Sequence, residues 1–146
     1  MKVEIATTLT PAIVEAIEKL VPQLSRSNPP PSEVEMGDIV ASPATDLFIA
    51  LSDQGIIVGM STLAVFRIPT GLRAWIEDVV VDETATRQGV GAALTEAMLE
   101  RAAELGCVTV DLTSRPSRDA ANRLYRRMGF EARETNVYRH TLRPTD

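Results

Sequence analysis

The chain has 146 residues, with 15 basic and 20 acidic side chains for a formal charge of −5, and a single cysteine. That length suits one domain. The basic residues are dispersed and no run reaches about 18 consecutive apolar residues, which argues against a nucleic-acid partner, an anionic membrane surface or a membrane span. One cysteine rules out a disulfide within the chain, and no Cys, His or carboxylate cluster supports a metal site.

The opening MKVEIATTLT lacks the apolar core of a signal peptide, so a cytoplasmic location is expected. Val3 and Ile5 alternate with polar neighbours as a short strand. Thr10-Pro11 then reads as an N-cap followed by proline at the first helical position, opening a helix to about Leu24. Asn28-Pro-Pro-Pro31 breaks regular structure, and the stretch to Pro43 reads as either one short helix or a loop. LFIALSD (47–53) and GIIVGMSTLAVF (55–66) flank Asp53-Gln54-Gly55 as an antiparallel hairpin, and Pro69-Thr70-Gly71 makes the next turn. AWIEDVVV (74–81) follows as a strand with Glu77 and Asp78 adjacent in its middle. From Val90, apolar residues recur at Leu94, Ala97, Met98, Ala102 and Leu105, with Glu96, Glu100 and Glu104 on a separate stripe. This is an amphipathic helix, ended by Gly106.

CVTVDLTS (107–114) reads as a strand buried on both faces, with Cys107 a small buried hydrophobe. Ser117 is the expected N-cap of a last helix whose face carries Ala121, Leu124, Tyr125 and Met128. Gly129 suits the left-handed residue after it, and 130–142 would close the chain as one or two strands. Trp75 is expected in the core and His140 on the surface. The order predicts an α/β (α+β) fold: a mixed, mostly antiparallel central sheet flanked by helices, with one strand–helix–strand crossover, in a single domain over 1–146.

The start of the amphipathic helix, TRQGVGAAL (86–94), is unusual. It carries two glycines, each costing about 1 kcal/mol in a helix interior, and no first-turn carboxylate to meet the positive end of the dipole. Three readings stay open. A dinucleotide fingerprint fits poorly, since seven residues separate the glycines from their strand and Leu94 holds the third small position. The glycines could serve only close helix–sheet packing. Or backbone N–H groups there hold an anion, which also accounts for the missing acid.

WIEDVVVDETATRQGVGAALTEAML, followed by a strand and then AANRLYRRMGFE, resembles the GNAT superfamily of acetyl-CoA-dependent N-acetyltransferases. Gly89 and Gly91 match the two small positions of the family's Arg/Gln-x-x-Gly-x-Gly/Ala motif. Leu124, Tyr125, Gly129 and Phe130 match its later Leu-Tyr-x-x-x-Gly-Phe. Thr86 stands where the family usually has Arg or Gln, with Arg87 and Gln88 following at once, and Arg118 stands where Asn is frequent. The resemblance implies that the pyrophosphate of CoA is held at Arg87, Gln88, Gly89, Val90, Gly91 and Ala92. It also implies that main chain at Val79 and Val81 pairs with the pantetheine arm, with the Val79 N–H steadying the oxyanion.

Acetyl transfer to an amine needs a neutral nucleophile and a protonated leaving group, although free alkyl amines have a pKa near 10. Glu77 is assigned as the base, through water, Asp78 as a contact to the cationic acceptor or to the framework, and Tyr125 as the acid for the departing thiolate. Strand alternation places Glu77 and Asp78 on opposite faces, so their tasks differ. The expected partner is a small-molecule or peptide amine, with a homodimer left open. The alternative is a non-catalytic module that binds or senses acyl-CoA.

Overall fold

The computed structural model describes residues 1–143. Met1–Leu112 form one compact unit and a second begins at Thr113. The first contains, in order, β1 (Lys2–Ile5), α1 (Pro11–Leu24), α2 (Glu33–Ala41), β2 (Thr45–Leu51), β3 (Ile57–Ile68), β4 (Gly71–Val81), α3 (Val90–Glu104) and β5 (Thr109–Asp111). The second contains α4 (Asp119–Arg127). The strands form one sheet in the order β1-β2-β3-β4-β5, antiparallel through β4 and parallel between β4 and β5. The mixed, mostly antiparallel α/β architecture is as the sequence predicts.

Local chemistry sets the helix starts. The Thr10 hydroxyl accepts the Ile13 N–H at 3.2 Å, and Pro11 occupies the first turn. The stretch left open between helix and loop is α2, because Ser32 and Glu35 close a capping box. The Ser32 hydroxyl takes the Glu35 N–H at 3.2 Å, and the Glu35 carboxylate takes the Ser32 N–H at 2.9 Å.

Register sorts the sheet's side chains. Leu47, Ile49, Met60 and Val80 form one core with Ile13, Ile17, Leu20 and Met36 from α1 and α2. Residues 46, 48 and 50 of β2 lie opposite Leu63, Ser61 and Gly59, on the other face. That face takes α3, as the Arg101–Asp46 ion pair at 2.9 Å and the Gly59–Val90 approach both require. Leu63, Leu94 and Met98 are fully buried, and truncating any of them to alanine should cost about 2–5 kcal/mol.

Three expectations fail at the C-terminal end. β5 is three residues long with Thr109 and Asp111 exposed, not a strand buried on both faces. It runs along the edge of the sheet, with only β4 beside it among the described residues. Arg118, not Ser117, takes the cap position of α4, without a side-chain bond. The Asn122 amide instead holds the turn, donating to the Arg115 carbonyl at 3.0 Å. Residues 130–142 form no strand, since a strand needs a ladder partner and none pairs with them among the described residues. Val137, Tyr138 and Leu142 are accordingly exposed. Trp75 and Cys107 are half-buried and His140 is exposed.

Candidate functional site

β4 contains a bulge where the paired carboxylates sit. The Leu72 carbonyl accepts the Val108 N–H, toward β5, whereas the Asp82 N–H donates to the Val58 carbonyl, toward β3. Ten residues apart on an unbroken strand, the two would face the same edge, so one extra residue lies between them. Register agrees: Thr62 faces Glu77 and Met60 faces Val80, leaving Asp78 and Val79 together opposite Ser61. Asp78 absorbs the irregularity with φ of 53°, a left-handed conformation that aspartate tolerates better than most residues. Alternation therefore holds to Glu77 and ends at Asp78.

The bulge coincides with an opening in the sheet. β5 pairs with β4 only from Arg73 to Trp75 and ends at Asp111. Beyond Trp75, the β5-side edge of β4 has no strand neighbour among the described residues. Asp82 turns toward β3, so the Val81 N–H and C=O face that open edge. Glu77 and Asp78 are exposed, while Val79 and Val81 are half-buried. The result is a stretch of unpaired main chain flanked by two carboxylates.

Asp82 ends β4 in a knot of bonds. Its Oδ1 accepts the Thr84 N–H and hydroxyl, each at 3.1 Å, and its Oδ2 pairs with Lys19 Nζ at 2.7 Å. The carboxylate is 2% exposed, and the Lys19 ammonium, with the Thr84 N–H, holds its pKa below the ordinary range despite burial. A 3₁₀ turn, Glu83–Ala85, follows, and then a loop with Arg87 and Gly89 both left-handed, φ 66° and 78°.

α3 starts without a side-chain cap and without an acid in its first turn. Its first intrahelical bond here is the Ala93 N–H to the Gly89 carbonyl, so the N–H groups of Gly89, Val90, Gly91 and Ala92 have no acceptor within the helix. Four uncapped donors at the positive end of a helix suit an anion such as a phosphate. A Cβ on Gly89 would meet nothing within 4 Å, so its role is backbone conformation and not packing. Close packing belongs to Gly59, where a Cβ would lie 2.8 Å from Val90 Cγ1 and 3.2 Å from Leu94 Cδ1. Sequence reasoning passed over Gly59, though a glycine inside a strand pattern is the usual sign of a close approach. It also passed over Asp82, whose signal is the Asp-x-Thr turn.

In the second unit, Tyr125 is 8% exposed and its ring meets the Phe130 ring edge-on, centroids 5.7 Å apart. Burial raises its pKa, opposed by the positive charge of Arg118, so the phenol keeps its proton at neutral pH. The Phe130 N–H returns to the Tyr125 carbonyl at 2.9 Å, and Gly129 takes the left-handed position with φ of 95°. In the first unit, an open groove of about 400 Å³ along α1 and the start of α2 is lined by Leu9, Val14 and three carboxylates, Glu15, Glu18 and Glu33. Among the described residues no His, Cys, Asp and Glu side chains cluster as metal ligands would.

A sequence model of the acetyltransferase (GNAT) family matches residues 13–130. No curated protein matches significantly by sequence. Among solved structures, the chain is 24% identical to an acetyltransferase from Trypanosoma brucei, TM-score 0.79, covering 96% of this chain and 99% of that one. It is 24% identical to an aminoglycoside acetyltransferase from an uncultured soil metagenomic sample, TM-score 0.79, with 97% and 96% covered. A transcriptional regulator from Bacillus halodurans C-125 is 26% identical, TM-score 0.79, with 96% and 100% covered. The T. brucei and soil proteins share the fold.

Proposed function

The chain belongs to the GNAT acetyltransferase family, whose membership implies acetyl-CoA-dependent acetyl transfer, and from that premise we propose that it is an N-acetyltransferase acting on a primary amine of a small molecule or peptide. The observation that carries the reading is the opening of β4 beyond Trp75 together with the uncapped start of α3. Backbone N–H groups of Gly89 to Ala92 take the pyrophosphate, with Arg87 and Gln88 beside them, and the open edge at Val79 and Val81 takes the pantetheine arm as an added strand would. When bound, acetyl-CoA supplies a thioester carbonyl. The bulge at Asp78 frees main-chain N–H at Val79 to donate to the oxygen on which charge develops.

Glu77, exposed on the strand beside the bulge, accepts the amine proton through water, and Asp78 holds the cationic acceptor. Tyr125 donates to the leaving thiolate, a role its raised pKa supports because the proton is present at neutral pH. The three carboxylates of the α1–α2 groove favour a cationic acceptor, and aminoglycosides, the substrate named for one fold neighbour, are such amines. Residues 1–146 act as one N-acetyltransferase domain, in the cytoplasm.

The test is thiol release from acetyl-CoA with a panel of polyamines, aminoglycosides, amino sugars and peptides. Release that depends on one acceptor class supports the reading. CoA binding without release for any amine would place the chain among acyl-CoA-binding modules.

A further inference from the structure

We propose that Lys19 and Gln23 of α1 are positioning residues for the N–H groups at the start of α3, acting through the turn from Asp82 to Ala85; the proposal rests on the acetyl-CoA reading above. Four residues apart, the two side chains share one face in the last turns of α1. Lys19 Nζ meets Asp82 Oδ2 at 2.7 Å, and Gln23 Oε1 accepts the Glu83 N–H at 2.9 Å. Gln23 is itself fixed at its other end, where Nε2 donates to the Lys19 carbonyl at 3.4 Å.

These are the side chains from elsewhere in the chain that bond the turn. Main chain ties the first residue of the turn, the Asp82 N–H donating to the Val58 carbonyl of β3 at 2.8 Å, and the remaining bonds are the turn's own: Asp82 to Thr84, Ala85 N–H to the Asp82 carbonyl at 2.8 Å, and the Thr86 hydroxyl to the Glu83 carbonyl at 3.3 Å. The Val58 bond holds only the start of the turn, and the internal bonds shape the rest without tying Glu83 to Ala85 to another element. Four further residues, 86–89, then lead to α3, two of them in left-handed conformations that favour one path for the chain. Hydrogen bonds to a phosphate are lost over fractions of an ångström, so the place of the turn sets how well the donors of Gly89 to Ala92 converge. Lys19 is 58% exposed at its side chain and lies outside the core, so replacing it removes no core packing, and the cost falls on the buried Asp82 carboxylate left without its cation.

Hydrogen exchange and CoA calorimetry on Lys19→Met, Lys19→Arg and Gln23→Ala, well below their melting temperatures, test this. The amides of Thr84, Ala85 and Ala93 should exchange at least tenfold faster in Lys19→Met and Gln23→Ala, and Kd for CoA should rise about 5–10-fold. Lys19→Arg should restore both, and kcat at saturating acetyl-CoA should hold. Unchanged exchange, or faster exchange with unchanged CoA affinity, overturns the positioning role. Failure of the unsubstituted protein to bind CoA overturns the acetyl-CoA reading itself.

Discussion

Gly59→Ala is the substitution whose outcome the geometry predicts most sharply. The new Cβ would lie 2.8 Å from Val90 Cγ1, 3.2 Å from Leu94 Cδ1 and 3.2 Å from the Val80 carbonyl oxygen. None of the three gives way easily. Valine on a helix is held to one χ1 rotamer, and the carbonyl is main chain of β4. The start of α3 must therefore lift from the sheet. Inserting one methyl into so tight a site costs about 1–3 kcal/mol, and at roughly 3 °C per kcal/mol for a chain of this size the melting temperature should fall by about 3–9 °C. Gly37→Ala in α2 supplies the contrast, because a Cβ there meets nothing within 4 Å. Removing a glycine from a helix interior gains about 0.5–1 kcal/mol. Thermal unfolding by circular dichroism should thus move in opposite directions for the same chemical change. A Gly59→Ala protein that melts at or above the unsubstituted temperature would refute the close-approach argument.

Tyr125→Phe should lower kcat about 100-fold or more with KM nearly unchanged, because the contact strengthens only as charge develops on sulfur; steady-state kinetics check this, and near-normal kcat would return Tyr125 to packing. Glu77→Gln should lower kcat, with partial recovery at high pH where more of the amine is neutral, whereas Asp78→Asn should raise acceptor KM, since Asn keeps the tolerance for a left-handed backbone. Paired pH–rate profiles separate the two, and identical profiles would show the roles merged. The Asp82 carboxyl is held below its ordinary pKa by Lys19, so its contribution to stability is complete above about pH 4, the unfolded value, and is lost as pH falls through the lower folded value. Lys19 is raised by the same contact, so its share persists through neutral pH and is lost only as pH rises above its folded value. Melting curves from pH 7 down to pH 3 should fall less steeply in Asp82→Asn than in the unsubstituted protein.

What the sequence reveals follows the reach of each signal. α1, the β2–β3 hairpin, β4 and α3 are legible because their apolar periods are long and their caps and turns are written beside them: Thr10-Pro11, Gly55, Gly106. α2 has only nine residues, and its capping box, Ser32 to Glu35, is readable in retrospect behind the prolines that obscure it. β5 and 130–142 are overread because apolar or alternating composition cannot say whether a partner strand is there. The bulge at Asp78 is hidden for a related reason. Alternation assumes an unbroken ladder, and the extra residue shows only against the register of β3. Lys19, Gln23 and Gly59 act across 63, 60 and 31 residues of chain, through contacts with Asp82, Glu83 and Val90 that no local pattern encodes.

The central claim is that the start of α3 is a phosphate cradle, and it can be watched directly in an amide NMR titration of the ¹⁵N-labelled protein with CoA. The uncapped N–H groups of Gly89, Val90, Gly91 and Ala92 should shift together and downfield as each gains an acceptor, with Val79 and Val81 following from the pantetheine arm. Saturating CoA that leaves those four amides unmoved, or that moves resonances elsewhere on the chain instead, would contradict the account.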